Sequence, residues 1–132
     1  MPKLSVVIPC HNAARFLSEC LDSIARQSLK DFEAICIDDG STDGTAAILD
    51  EYAAQDVRFV VVHREWSGAS VARNLGIARA TGTYVGFVDA DDTLDPDWLE
   101  KAAAVIAESG ADLVHLDLED RACASVVRPE QF

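Results

Sequence analysis

Residues Tyr84–Asp92 read YVGFVDADD. An unbroken apolar run ends in Asp89, Asp91 and Asp92, three carboxylates within four positions. A continuous apolar run of this length suits a strand buried on both faces, as in a parallel sheet. Carboxylates packed this closely repel one another, so they either share protons or meet a cation. The stretch therefore reads as a buried strand that delivers an acidic group to its C-terminal end.

The same pattern recurs on the N-terminal side. LSVVIP (4–9), FEAICIDD (32–39) and RFVVVH (58–63) read as strands; the first ends in Pro9 and the other two in polar residues. ADLVHLDLED (111–120) reads as a fifth strand. Between them lie segments of helical periodicity. In residues 12–28 the apolar positions are Phe16, Leu17, Cys20, Leu21 and Ile24, with Asn12 as the expected N-cap. Residues 41–56 form a second helix, capped by Ser41, Thr42 or Asp43. Residues 67–82 form a third, with Val71, Leu75 and Ala78 on one side and Gly82 at C′. In the fourth, residues 95–110, Asp95 caps, Pro96 takes the first helical position and Gly110 ends it. Strands alternating with helices predict an α/β fold: a mostly parallel, Rossmann-like sheet flanked by helices. Residues 3–118 form the expected domain, and 119–132 a tail that is either an edge strand or disordered.

Composition narrows the function. The chain has 132 residues, 49% of them hydrophobic, which suits one folded domain. Its net charge of −12 argues against nucleic acid or an anionic membrane surface as the main partner. It leaves room for an anionic small ligand held through a divalent cation. The apolar stretches are too short to span a membrane or to serve as a secretory signal. The expected location is cytoplasmic, or peripheral at the inner face of the membrane in a longer protein. Cys10, Cys20, Cys36 and Cys123 form no C-x-x-C pair and read as buried, reduced thiols.

In open parallel sheets, ligands bind outside the carboxyl ends of the strands. Here those ends are Pro9-Cys10-His11-Asn12, Asp38-Asp39-Gly40-Ser41, His63-Arg64-Glu65 and Asp89-Ala90-Asp91-Asp92. A single acidic strand end often only caps the next helix. Two that feed one crevice favour a site. If the strand persists, Asp89 and Asp91 face the same way, about 6–7 Å apart. If it turns at Ala90, Asp91 and Asp92 form the exposed pair. Mg²⁺ binds through one or two carboxylates and completes its shell with water and substrate phosphates. Asp39 suits the ring N–H of a flat heterocycle, and Arg73 offers a fork of donors to a base or an anion, or else an exposed ion pair. Pro9 and His11 suit the flat face of a base. His63 and His115 have no evident partner. Trp98 reads as core, and Trp66 as a loop residue exposed near the site.

LSVVIPCHN, CIDDGSTDGT, GASVARNLGIARATGTYVGFVDADD and DPDWLE, in this order and spacing, resemble the family 2 glycosyltransferases over about residues 3–115. The resemblance implies the nucleotide-binding half of a GT-A fold. It further implies inverting transfer from a nucleotide diphosphate sugar, UDP-linked by preference, to an acceptor hydroxyl on a saccharide or lipid-linked saccharide, as in cell-envelope polysaccharide synthesis. On that pattern Pro9 and His11 border the base, Asp39 meets its ring N–H with support from Asp38, and Arg73 lies near base and phosphates. Asp89 touches the ribose. Asp91, with Asp89 or Asp92, holds Mn²⁺ or Mg²⁺ on the diphosphate.

His11 stands where the family often has Tyr, and Glu65-Trp66 where an Asn-containing turn is common. The family's general base is a carboxylate in the acceptor half, expected beyond Phe132. The chain alone is therefore expected to bind donor better than it turns over. Glu119 and Asp120 sit too close to strand five for that role and read as a solvated edge. An exposed sheet edge is an expected site of homodimer pairing.

The alternative reading is a non-catalytic nucleotide-sugar-binding or interaction module. A phosphoacceptor receiver domain needs an Asp pair after strand one and a Lys after strand five, which this chain lacks. A nucleotidyltransferase needs a Gly-rich basic loop where PCHNAAR stands.

Overall fold

The fold is given by a computed structural model that describes residues 4–109, 113–116 and 124–127. In chain order its elements are β1 (Leu4–Cys10), α1 (Ala14–Ala25), β2 (Phe32–Asp39), α2 (Thr45–Gln55), β3 (Phe59–Arg64), α3 (Ala69–Arg79), β4 (Tyr84–Phe87), α4 (Trp98–Ser109), β5 (Leu113–Leu116) and β6 (Ala124–Val127). The strands form one sheet in the order β3-β2-β1-β4-β6-β5. The first four are parallel, with Cys10 opposite Asp38 and Asp39 opposite Arg64, so their polar C-terminal ends emerge side by side. The α/β architecture expected from the alternating periodicity is present.

The tail departs from expectation. β6 is an interior strand, antiparallel to β4 on one side and to β5 on the other. The β4 flank of the parallel sheet is thus covered, and the sheet edges among the described residues are β3 and β5. Glu119, Asp120 and Cys123 lie outside the described residues.

The sheet separates two apolar layers. On one face Leu4, Val6, Ile8, Phe32, Ala34 and Cys36 pack against Leu17, Leu21 and Ile24 of α1, Leu49 of α2, and Trp98, Leu99 and Ile106 of α4. On the other, Ile35 and Ile37 meet Ala72 of α3, with Leu75 and Val62 beside them. Phe16 is exposed, unlike its apolar neighbours on α1. Cys10, Cys20 and Cys36 are buried and free.

The buried side of α3 is Ala72 and Gly76, not the expected side of Val71, Leu75 and Ala78; Val71 and Ala78 are exposed. The reason is close approach. A Cβ on Gly76 would lie 2.3 Å from Cγ1 of Val7, so the smallest residues face the sheet, with Leu75 half-buried beside them and Val71 facing out. Gly82 is not the C′ residue of α3, which ends at Arg79. It lies against β1 instead, where a Cβ would sit 2.7 Å from the Ser5 nitrogen. α4 begins at Trp98 rather than Pro96; Pro96 and Asp97 form a turn before it.

Gly76→Ala forces a methyl group into Val7 and should destabilise the fold by about 1–3 kcal/mol, the usual range for overpacking. Urea denaturation checks this; an unchanged midpoint would contradict the close packing of α3 on β1.

Candidate functional site

The C-terminal end of β2 organises the loops around it. Asp39, 2% exposed, accepts three hydrogen bonds: from the Ser67 backbone N–H (2.9 Å) and Ser67 hydroxyl (3.0 Å) on Oδ1, and from the Gly68 N–H (2.9 Å) on Oδ2. Charge-assisted bonds of this kind offset the cost of burying the carboxylate. They also fix the turn that starts α3, where Gly68 has φ +99°. Gly40, at φ +67°, passes beneath that turn; a Cβ there would lie 2.5 Å from the Trp66 nitrogen.

Asp38 faces away from the turn. Its Oδ1 accepts the Ser41 N–H and its Oδ2 meets His63 Nδ1 at 2.7 Å, while His63 Nε2 meets Asp50 at 2.8 Å. His63, for which the sequence offered no partner, bridges two carboxylates.

The start of α1 is capped by the loop after β2. The Ser41 hydroxyl accepts the Asn12 N–H, the Thr45 hydroxyl the Ala13 N–H, and Asp43 the Ala14 N–H. Asn12 is therefore not the N-cap. It sits at φ +48°, and its side-chain oxygen accepts the Thr42 N–H. Asp43 also accepts the Thr45 N–H at the start of α2, so one carboxylate serves two helix N-termini. The Thr45 hydrogen bond is the main reason its pKa is lowered.

These loops leave an open cleft of about 290 Å³ over the strand ends, bordered by Pro9, His11, Asp39, Trp66, Arg73 and Asp89. Five of these are sequence-predicted site residues, brought together from β1, β2, α3 and the end of β4. His11 Nδ1 donates to the Asp39 carbonyl (2.7 Å), which sets the ring against the cleft. Asp38 does not border the cleft; it holds the loop behind it.

After β4 the chain turns at Ala90 and Asp91, with the Asp92 N–H donating to the Asp89 carbonyl (3.0 Å). Asp91 is exposed, Asp89 half-buried and Asp92 7% exposed. Each offers an oxygen within 4.8 Å of the others. Arg73 reaches Asp89 Oδ1 at 3.4 Å, linking cleft and acidic group. Below them, burial pushes the Cys20 thiol up to about 12, with Asp92, Asp91 and Asp89 adding to the shift. The thiol donates to the Asp89 carbonyl (3.5 Å) and is not among the three grouped carboxylates. The available donors are hard carboxylate oxygens, the type that suits Mg²⁺ or Mn²⁺.

The segment after the acidic group is gripped by Ser23 of α1 and by Gln27 and Ser28 just beyond its end. The Ser23 hydroxyl accepts the Leu94 N–H (3.0 Å). Fully buried Gln27 donates to the Asp95 carbonyl (2.6 Å) and accepts the Leu99 N–H (2.9 Å) in the first turn of α4. The Ser28 N–H donates to the Pro96 carbonyl (2.8 Å). The sequence reading missed Ser23, Gln27, Ser67 and Gly68. Gln27, a polar residue next to an apolar helix face, was the available signal.

Residues 5–128 match the family model described as Glycosyl transferase family 2. The chain belongs to glycosyl transferase family 2. Among its relatives, the uncharacterized glycosyltransferase EpsJ of Bacillus subtilis is 39% identical over 114 residues, covering 86% of this chain and 33% of EpsJ. A PGL/p-HBAD biosynthesis glycosyltransferase of Mycobacterium bovis is 42% identical over 120 residues, 89% of this chain and 47% of that one. Residues 1–349 of S. aureus TarS in complex with UDP-GlcNAc superpose with TM-score 0.79 at 35% identity, over 84% of this chain and 33% of that chain. The mannosyltransferase PcManGT from Pyrobaculum calidifontis, in complex with GDP-Man and Mn²⁺, gives 0.77 at 28% identity, over 88% and 35%. This family 2 chain thus spans less than half the length of each. No helix among its described residues is long and apolar enough to cross a membrane.

The Asp38–His63–Asp50 bridge makes stability depend on pH. The hydrogen bond to Asp38, then that to Asp50, raises the His63 pKa above 6.5, so its contribution is complete below that value and lost as pH rises through the raised one. Burial raises the Asp38 pKa, but bonds from His63 and Ser41 outweigh it and hold it below 3.8, so its contribution is lost only as pH falls through that lowered value. The stability gap between wild type and His63→Gln should be widest between 3.8 and 6.5 and should close at alkaline pH. A gap that stays flat from pH 6 to pH 9 in urea melts, a window about either side of the ordinary value, would contradict the bridge.

Proposed function

We propose that the chain is the donor-binding part of an inverting, metal-dependent glycosyltransferase. In this reading it positions a nucleotide diphosphate sugar, UDP-linked by preference, for attack by an acceptor hydroxyl on a saccharide or lipid-linked saccharide. The observation that carries the proposal is the convergence of Pro9, His11, Asp39, Arg73 and Asp89 on one cleft, beside a three-carboxylate group whose oxygens lie within 4.8 Å. Membership of the family and neighbours in complex with UDP-GlcNAc and with GDP-Man and Mn²⁺ support it.

In this reading Pro9 and His11 border the base. Asp39 presents its remaining acceptor capacity to the base edge, and Asp38 acts from behind by fixing Ser41. Arg73 swings between Asp89 and the phosphates. Asp91, with Asp89 or Asp92, would hold the Mn²⁺ or Mg²⁺ ion. Such a cation supplies positive charge where negative charge builds on the leaving diphosphate. The residues of this chain bind and orient the donor, and the hydroxyl's proton goes to a base in the acceptor half. The chain alone should then bind donor with little turnover, since a general base is worth roughly 10²–10⁴-fold.

Calorimetric titration with UDP tests this. Mn²⁺ should tighten binding by ~10-fold or more, because a cation–phosphate contact of this kind is worth several kcal/mol. Asp91→Asn should remove most of that gain. UDP binding that is absent, or equal with and without Mn²⁺, would contradict the reading. A non-catalytic module would also bind UDP; it is distinguished by a full-length protein that does not hydrolyse or transfer the sugar of any bound donor.

A further inference from the structure

We propose that Trp66 is the wall of the cleft on which the donor's nucleobase stacks, and that it supplies affinity without choosing the base. This rests on the donor-binding reading above.

The indole is 66% exposed. Its backbone, by contrast, is tightly held. Gly40 packs against the Trp66 nitrogen and Cα, and the next two residues, Ser67 and Gly68, give all their donors to buried Asp39. A large apolar ring fixed in water by a rigid turn gains little from the fold itself. It is placed for contact with something else.

What it contacts is set by the neighbourhood. Trp66 borders the same cleft as Pro9 and His11. Its ring centroid is 6.4 Å from that of His11, with the planes tilted by 59°. The two rings make an open corner, near the outer limit for aromatic pairing. A planar heterocycle laid on the indole would turn its edge toward His11. Gly68, Ala69 and Ala72 beside them carry little or no side chain and leave room for it. Arg73, which borders the same cleft, suits the diphosphate, and Asp89 beside it suits the ribose or a cation.

The occupant is therefore a nucleobase, and the contact is with its face. Faces are alike among bases, so stacking tolerates all of them. Edge reading falls to Asp39, and little of its capacity remains. An ionised carboxylate has about four acceptor sites, and Ser67 and Gly68 take three of them.

The test uses UDP and GDP, with pyrophosphate as a probe that lacks a base, each with Mn²⁺. Trp66→Ala should weaken UDP and GDP alike, by roughly 5- to 100-fold, the range for one base–aromatic stack. Pyrophosphate affinity should stay within about twofold, below what a lost stack would cost. Trp66→Phe should recover most of the loss. The chain has two tryptophans, and Trp98 is buried, so quenching of the exposed fluorophore by UDP should vanish in Trp66→Phe. Unchanged UDP affinity in Trp66→Ala overturns the proposal and leaves the donor site standing. So does an equal loss for pyrophosphate, which would mean a collapsed loop. A wild-type protein that binds no UDP removes both readings together.

Discussion

A buried carboxylate must find its hydrogen bonds inside the protein, and that of Asp39 finds them in the turn that opens α3. The strand end and the helix start become one unit. Everything that borders the cleft from the α3 side inherits its position from this junction. Arg73 lies one turn into the helix, Trp66 one residue ahead of the bonded pair, and His11 donates to the carbonyl of the same aspartate. The glycines fit the same constraint. Gly40 and Gly68 adopt positive φ where the loops after β2 and β3 cross, and Gly76 lets α3 settle directly on β1.

The strongly acidic composition looks different in this light. Several of the carboxylates near the strand ends are acceptors for specific backbone N–H groups: Asp38 for Ser41, Asp39 for Ser67 and Gly68, Asp43 for Ala14 and Thr45. They build loops. Asp89, Asp91 and Asp92 differ in kind, because they converge on one another. Their loop is not free to spread, since Ser23 of α1 and Gln27 just beyond its end hold Leu94, Asp95 and Leu99 immediately downstream. Repulsion among them is thus resisted by a neutral polar network immediately downstream and by Arg73, which reaches Asp89.

Much of this was legible in the sequence. Apolar runs ending in polar clusters gave the parallel strands, and the convergence of their C-terminal ends placed Pro9, His11, Asp39, Arg73 and Asp89 together. Properties that depend on contacts between distant segments were not legible. Asn12 looks like a cap by position, yet α1 is capped across the fold by Ser41, Asp43 and Thr45. The pattern of α3 suggests a Val71 face, yet close approach to the sheet reserves that contact for Ala72 and Gly76. His63 had no partner within its own segment because both lie on other elements, Asp38 on β2 and Asp50 on α2. Asp92 could not be assigned because burial separates it from Asp91 only once the chain turns at Ala90.

The placement of β6 has a consequence for assembly of the molecule. β4, which leads into the acidic group, is hydrogen-bonded to β1 on one side and to β6 on the other. β5 precedes β6 in the chain but joins the sheet only through it. Strand addition on that flank therefore runs against the order of synthesis: of β5 and β6, the one made later is the first that can dock. Pairings that span some forty residues between Val85 and Val127 close slowly, because chain entropy opposes distant contacts. The β1–β2–β3 portion can form while the rest is still being made, and the acid-bearing strand gains its second neighbour only once β6 has been made.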